Sequence, residues 1–220
     1  MAYDFDKIAR TYDRLNRLMT LGLDRRWRKR ALRGIQSNVL DVACGTGDMA
    51  VSLVERGCTV TGVDISEEML AIAKQKAPDA TYIVADAEQL PFEDKTFDAV
   101  TCAFGVRNFV HLKQGIDEMM RVLKPGGQMV ILELATPDCA LVRPFYRLYT
   151  KYVIPRLGQW LAGNREAYTY LPESIERFPK GESFLKMFPF EGIQRKLTFG
   201  VCRLYTINKE AADNERPLCY

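Results

Sequence analysis

The chain has 220 residues, enough for one domain with a substantial core, and its 47% hydrophobic and 27% charged residues are typical of a folded, soluble protein. No run approaches the roughly eighteen apolar residues of a membrane span, and the opening "MAYDFDKIAR" lacks the apolar stretch of a secretory signal. Six scattered cysteines without a CxxC pair, and a single histidine, argue against a clustered zinc site and for reduced thiols in the cytoplasm.

Residues 1–33 carry ten Lys and Arg against four Asp, a local +6 within a chain of net +3, so the remainder sums to −3. Such a basic segment suits either a solvated helix face or an anionic partner, lipid headgroups or nucleic acid. Beyond it the pattern alternates. "NVLDVA" (38–43) and "TVTGVDIS" (59–66) read as strands around a helix with Met49, Leu53 and Val54 inward, stopped at Gly57. A second helix is predicted from "SEEMLAIAKQKAP", capped by Ser66 and stopped at Pro78. "TYIVAD" (81–86), "FDAVTCAFG" (97–105) and "GQMVILEL" (127–134) are further buried strands. The helix before the last of these is expected to close at Pro125-Gly126-Gly127. "IQRKLTFGVCRLYTINK" (193–209) reads as a hairpin turning at Gly200, antiparallel because a short turn cannot join parallel strands. The fold class is therefore α/β: a doubly wound, mostly parallel, Rossmann-like sheet with a C-terminal antiparallel hairpin. Residues 1–209 read as one domain, with 1–36 a helical lid on the substrate side and 141–180 a helical insertion, followed by a polar tail at 210–220.

The turn "VLDVACGTGD" (39–48) marks the ligand site, because open α/β sheets bind ligands at the carboxyl ends of their strands. Gly45 and Gly47 flank Thr46 and let backbone approach a ligand. Gly45-x-Gly47-x-x-Ala50 satisfies a relaxed dinucleotide fingerprint, with Asp64 placed to take ribose hydroxyls. Acids argue instead for a cationic ligand without phosphate. Asp41 precedes the turn and suits an amino group, Asp48 occupies the helix start that a pyrophosphate would need, and Asp86 can accept from an adenine amine. S-adenosylmethionine (SAM) has the amine, ribose and adenine these residues call for.

The segments "YDRLNRLMTLGLDRRWRKRA" (12–31), "DVACGTGD", "AFGVRNF" (103–109), "RVLKPGGQMVILELATP" (121–137) and "YLPESIERFP" (170–179) resemble the ubiquinone/menaquinone biosynthesis C-methyltransferases of the UbiE/MenG type over residues 3–209. The Tyr12-Asp13-x-x-Asn16, Phe104-to-Asn108 and Tyr170-Leu171-Pro172 blocks are the specific ones. The resemblance implies a class I methyltransferase with a seven-stranded sheet, methylating a ring carbon of a prenylated benzoquinol or naphthoquinol, with demethylmenaquinol preferred. S-adenosylhomocysteine would be the product, and no metal is implied. Its motifs carry SAM contacts onto Thr46, Asp64, Asp86 and Ala87. Ile65 beside Asp64, and Ala103 where the family often has Ser, complete the candidate set. The chain departs from the family pattern at Leu15, Asp24, Cys44 and Ala135, where Met, His, Gly and Ser are usual.

Such a reaction needs a phenolate held close to the methyl group. Arg107 is the candidate for lowering the hydroxyl pKa, unless it merely pairs with an acid. Asn108 would orient the hydroxyl or a water, and Tyr12 would touch the quinol from the lid. His111 reads as a helix-entry residue and not a base. The segment 141–163 is predicted to be a helix between Pro144 and Pro155, with Arg143, Arg147 and Lys151 opposite Leu141, Phe145, Leu148 and Tyr152. It would cover the core, cap a prenyl pocket, or rest on an anionic membrane at the inner face. A homodimer is compatible with all of this. The rival readings are O- or N-methylation of another aromatic acceptor, a non-catalytic SAM-fold partner, and nucleic-acid binding through "RRWRKR" (25–30). The last is disfavoured because no base-flipping motif accompanies it.

Overall fold

The computed structural model describes residues 6, 9–156 and 166–211. Seven strands form one sheet in the order β3-β2-β1-β4-β5-β7-β6. They are β1 (Asn38–Val42), β2 (Thr59–Asp64), β3 (Thr81–Val84), β4 (Phe97–Ala103), β5 (Leu123–Leu134), β6 (Gly192–Leu197) and β7 (Cys202–Asn208). The first five run parallel, while β7 is antiparallel to both β5 and β6. This is the mixed sheet expected of a class I methyltransferase. The chain leaves β1 toward β2 on one side and later returns to place β4 on the other, so the switch point lies beside the glycine turn.

Both faces of the sheet are covered, which is why its strands read as near-continuous apolar runs. Successive residues serve opposite layers. Leu40, Val100 and Ile131 join the core beneath α5 (Leu112–Val122), with Ile116 and Met119. Val39, Ala99 and Val130 join the core on the other face, with Trp27 of α2 (Leu23–Ala31) and Met49 and Leu53 of α3 (Asp48–Val54). Ser66 caps α4 (Glu67–Lys76), its hydroxyl accepting from the Met69 N–H at 3.1 Å.

Two expectations need correction. The helix α5 ends at Val122, and the Pro125-Gly126-Gly127 corner lies inside β5. The corner is fastened to the end of β7, with the Gly126 N–H donating to the Lys209 carbonyl and the Lys209 N–H returning to Gly127, both at 2.9 Å. A skip in the β4–β5 register absorbs the extra residues. The second correction concerns 141–163, of which 157–163 lie outside the described residues. There α6 (Val142–Leu148) passes into a π-helical turn over Tyr149–Val153. Along this segment Tyr146, Tyr149 and Ile154 face inward, while Leu141, Phe145, Leu148 and Tyr152 are exposed. The apolar stripe therefore covers no core. Helices α7 (Glu166–Arg177) and α8 (Glu182–Leu185) complete the segment before β6.

Candidate active site

Two cavities meet at the carboxyl ends of the strands, sharing Tyr12 of α1 (Ala9–Met19) and Phe104 in their walls. The first encloses about 800 Å³ and is floored by the chain as it leaves β1, β2, β3 and β4. Gly45, Asp64, Ile65, Asp86, Ala87, Ala103 and Asn108, all singled out in the sequence, line it, together with Glu88 and with Phe109 at the end of the AFGVRNF block. Ala43 and Phe104, at the ends of β1 and β4, both take left-handed backbone angles, φ 50° and 64°. Strain of this kind, about 1 kcal/mol or more per residue, gathers where a ligand site over-determines the backbone.

Asp64 is held from two sides. Its Oδ2 accepts from the Gly45 N–H at 2.8 Å and its Oδ1 from the Ser66 N–H at 3.0 Å. Burial pushes its carboxyl above the ordinary value, while these N–H groups and that of Ile65 pull it back. Asp86 stands at the end of β3, its Oδ1 accepting from the Glu88 N–H at 2.8 Å. Among the described residues lining this cavity there are three carboxylates and no Lys or Arg. That lining repels a pyrophosphate and welcomes a sulfonium, so the residues present fit SAM.

Three anticipated cofactor residues do not reach the cavity. Asp41 is wholly buried within β1, where its Oδ1 accepts from the Thr101 hydroxyl of β4 at 2.8 Å and its Oδ2 has no hydrogen-bond partner. Burial raises its pKa to about 7, against the opposing pull of Thr101 and Arg28. Asp41 still lies within β1, on the same face as Val39 of the core under α2 and α3, and the chain reaches the cavity only where it leaves the strand at Ala43. Thr46 turns the other way, its hydroxyl donating to Asp13 at 2.5 Å. Asp13 also accepts from Lys76 at 2.9 Å, and Lys76 pairs with Asp48. Asp13, Thr46, Asp48 and Lys76 thus clasp α1 onto the glycine turn and α4, which explains Asp13 without any substrate contact. Gly47, at φ 79°, is required by packing, since a Cβ there would lie 2.9 Å from that of Ala73. A Cβ on Gly45 would meet nothing within 4 Å, so this is the glycine that opens the backbone to a ligand.

The second cavity, about 930 Å³, lies between α1, α2, α6 and α7 and the sheet edge. Its walls are largely apolar, with Leu23, Trp27, Leu134, Ile154 and Ile175 among them. Arg107 lines this cavity and not the first. Its Nη1 donates to Glu133 at 2.7 Å and to the Phe104 carbonyl at 2.5 Å, and its backbone N–H reaches Glu133 at 3.3 Å. Arg107 does pair with an acid, Glu133, which is 1% exposed on β5; it lies in the 121–137 block, whose resemblance assigns it no role. Tyr146 faces the same space, and burial pushes its hydroxyl up to about 12 despite Arg107 nearby, so it stays a donor. Leu171 of the Tyr170-Leu171-Pro172 block also lines the cavity.

His111 lies outside both cavities and immediately precedes α5, its ring Nδ1 2.8 Å from Glu88. In "RRWRKR", Trp27 is 4% exposed and its indole N–H donates to Thr198 at 2.9 Å, so no aromatic is offered to a base. No helix among the described residues is long and apolar enough to cross a membrane. The five described cysteines are free.

The model of the ubiE/COQ5 methyltransferase family matches residues 2–209. A Bacteroides fragilis protein named demethylmenaquinone methyltransferase is 42% identical, covering 93% of this chain and 90% of its own. Its namesake in Thermus thermophilus is 44% identical, covering 91% of this chain and 97% of its own. A Geobacter sulfurreducens protein named ubiquinone/menaquinone biosynthesis C-methyltransferase UbiE is 42% identical over 93% of this chain and 86% of its own. Among solved structures, a SAM-dependent methyltransferase of Thermotoga maritima superposes with TM-score 0.64 at 17% identity, over 94% of this chain and all of its own. A second, described as a putative SAM-dependent methyltransferase of Methanococcus maripaludis, gives 0.63 at 16% over 97% and 98%. These two speak for the fold alone.

Proposed function

The chain belongs to the ubiE/COQ5 methyltransferase family and is a SAM-dependent methyltransferase; on that premise we propose that it methylates a ring carbon of demethylmenaquinol, giving menaquinol. The observation that carries this reading is the pair of cavities joined at Tyr12 and Phe104, one acidic and one apolar and aromatic. When bound in the first, SAM supplies an electrophilic sulfonium methyl group and leaves as S-adenosylhomocysteine. Asp64 would hold the ribose hydroxyls, Asp86 the adenine amine, and Ile65, Ala87 and Ala103 the apolar surfaces. Gly45 gives the backbone room. Asp41, Thr46 and Gly47 support the turn from behind without touching the ligand.

The second cavity would take the quinol head, with Tyr12 between the two partners and Asn108 at the border. Arg107 favours the phenolate by its charge, and Glu133 fixes where that charge sits. Because Glu133 neutralises the pair overall, the help is that of a directed dipole, smaller than that of a lone cation. The reading uses no metal, since the leaving group is already cationic.

A prenylated acceptor is drawn from a bilayer, and the exposed Leu141, Phe145, Leu148 and Tyr152 stand beside Arg147 and Lys151 next to this cavity. This face would rest on anionic lipid. Salt-sensitive binding to phosphatidylglycerol vesicles, weakened by Phe145→Glu, is the expected result, and no binding at low salt overturns it.

The reaction is tested with methyl-labelled SAM and two chemically reduced acceptors, demethylmenaquinol and its benzoquinol counterpart, the products being read by mass spectrometry. Label on a ring carbon of the naphthoquinol supports the proposal. Preference for the benzoquinol, the second reading suggested by the Geobacter relative's name, moves the acceptor. Label on oxygen or nitrogen of another acceptor overturns C-methylation.

A further inference from the structure

Quinol methylation requires the hydroxyl proton to go somewhere, and the second cavity is too apolar to rely on bulk water. Among the described residues lining it, Asp24 is the only carboxylate and Arg107 the only cation. Asp24 is 1% exposed, at the start of α2. Its Oδ1 accepts from the Thr20 hydroxyl at 2.9 Å and its Oδ2 from Arg28 Nη1 at 2.8 Å. An ionised carboxylate has about four acceptor positions, so these contacts fix the group while leaving capacity for a substrate hydroxyl. Arg28 is itself buried, its guanidinium 5.1 Å from the Phe104 ring centroid, so its charge is held beside the carboxylate and away from water.

We propose that Asp24 accepts the quinol hydroxyl proton, an assignment that rests on the quinol reading above. The quinol O–H bond breaks and a new O–H bond forms on an Asp24 carboxylate oxygen. The electron pair stays on the quinol oxygen and is shared with the ortho ring carbon, which becomes the nucleophile. Once that carbon has taken the methyl group, its C–H bond breaks and the ring proton passes to water, while Asp24 gives its proton back to the quinol oxygen, so that one proton is released overall. In water, transfer from a phenol to a carboxylate is disfavoured roughly a millionfold. In the cavity Arg107 favours the phenolate, and the proton needs to move only as the carbon attacks. The charged and titratable groups around the site are Arg28 on the same helix, Tyr12 on α1, Arg107 after β4, and Tyr146 and Tyr149 of the α6 segment. These are phenols or always-charged guanidinium groups; behind them lie Glu133, paired with Arg107, and Asp41, near Arg28 and with a pKa of about 7, so the pH dependence of any Asp24 variant is read against that of the unmodified enzyme.

Two variants and one probe test the assignment. Asp24→Asn is expected to lower kcat at least about 100-fold with KM and SAM affinity changed less than about threefold. Asp24→His is expected to keep measurable turnover while the acid limb of the rate profile moves up to about pH 6.5, the range where imidazole titrates. Calorimetric binding of 1-naphthol, which needs no turnover, should fall below about pH 6.5 in Asp24→His relative to the unmodified enzyme. An Asp24→Asn enzyme within about threefold of full rate, an unmoved acid limb, or naphthol binding by Asp24→His with the pH dependence of the unmodified enzyme each overturns the assignment. Should Asp24→Asn fail to fold because Arg28 is left unpaired, Asp24→His and the naphthol titration decide alone. If the unmodified enzyme does not methylate demethylmenaquinol, the quinol reading fails, while the naphthol titration still judges Asp24.

Discussion

The two cavities touch at the same two side chains yet are made of different material. The first is built from strand ends and tight turns, where backbone N–H groups and short acidic side chains fix positions to within a hydrogen bond. The second is built from helix faces, where shape comes from packed aromatic and aliphatic side chains and only two ionic groups break the apolar wall. The first therefore suits one ligand of invariant chemistry. The second suits a ligand whose ring must be oriented while its tail is merely tolerated. In such a pair, one residue removed from the strand ends should abolish binding, whereas one removed from the helical side should alter turnover.

The largest effect is expected from Asp64→Ala. It removes the acceptor of the Gly45 and Ser66 N–H groups and the proposed partner of the ribose, and SAM affinity should fall about 100-fold or more by calorimetry. Unchanged affinity would break the comparison at its root. Next comes Arg107→Ala, which leaves Glu133 buried without its ion-pair partner and should destabilise by about 3 kcal/mol in denaturant melts. SAM affinity should stay within about twofold, because Arg107 lies in the other cavity. Gly47→Ala should cost about 1–3 kcal/mol, through its positive φ and the contact with Ala73, with a smaller loss of SAM affinity than Asp64→Ala.

A subtler effect concerns Asp41. Its folded pKa of about 7 lies above the ordinary value of 3.8, so between these values the folded state holds more protons than the unfolded one. Its contribution therefore lowers stability as pH rises from about 4 to 7, and the loss is complete above the folded pKa. Asp41→Asn should remove that slope from the difference between variant and parent melts, and an identical slope in both would show that Asp41 ionises freely. The smallest effect is expected from His111→Asn, which should leave the pH–rate profile unchanged, since the ring faces Glu88 at the surface.

The periodic parts of this chain are legible in its amino-acid sequence. The β-branched runs, the cap at Ser66 and the closing hairpin follow from local preference, and their order alone implies the sheet. The strand-end residues Gly45, Asp64 and Asp86 are legible for the same reason, since a residue that ends a strand in such a sheet stands at the ligand crevice. Asp41 misleads because its neighbours in sequence reach the cavity while its own side chain, one step back in the strand, goes to the covered face. Thr46 and Gly47 mislead because the glycine turn has two sides, one toward the ligand and the other toward the α1–α4 contacts.

The second cavity is hardly legible. Asp24 and Glu133 are separated by more than a hundred residues, and although each lies in a block that carries the resemblance, nothing in the sequence brings the two blocks to one cavity. The face that α6 turns inward carries Tyr146 and not the stripe of Leu141, Phe145 and Leu148, a rotation that the helical pattern of apolar residues does not encode. The amino-acid sequence by itself determined the α/β class, the order of elements and the acidic character of the cavity at the strand ends, because these depend on local periodicity and on residues adjacent to strand ends. Only the tertiary structure decided which acids stay buried, which residue neutralises Arg107, and where the apolar cavity lies, because those outcomes depend on distant segments competing for the same space.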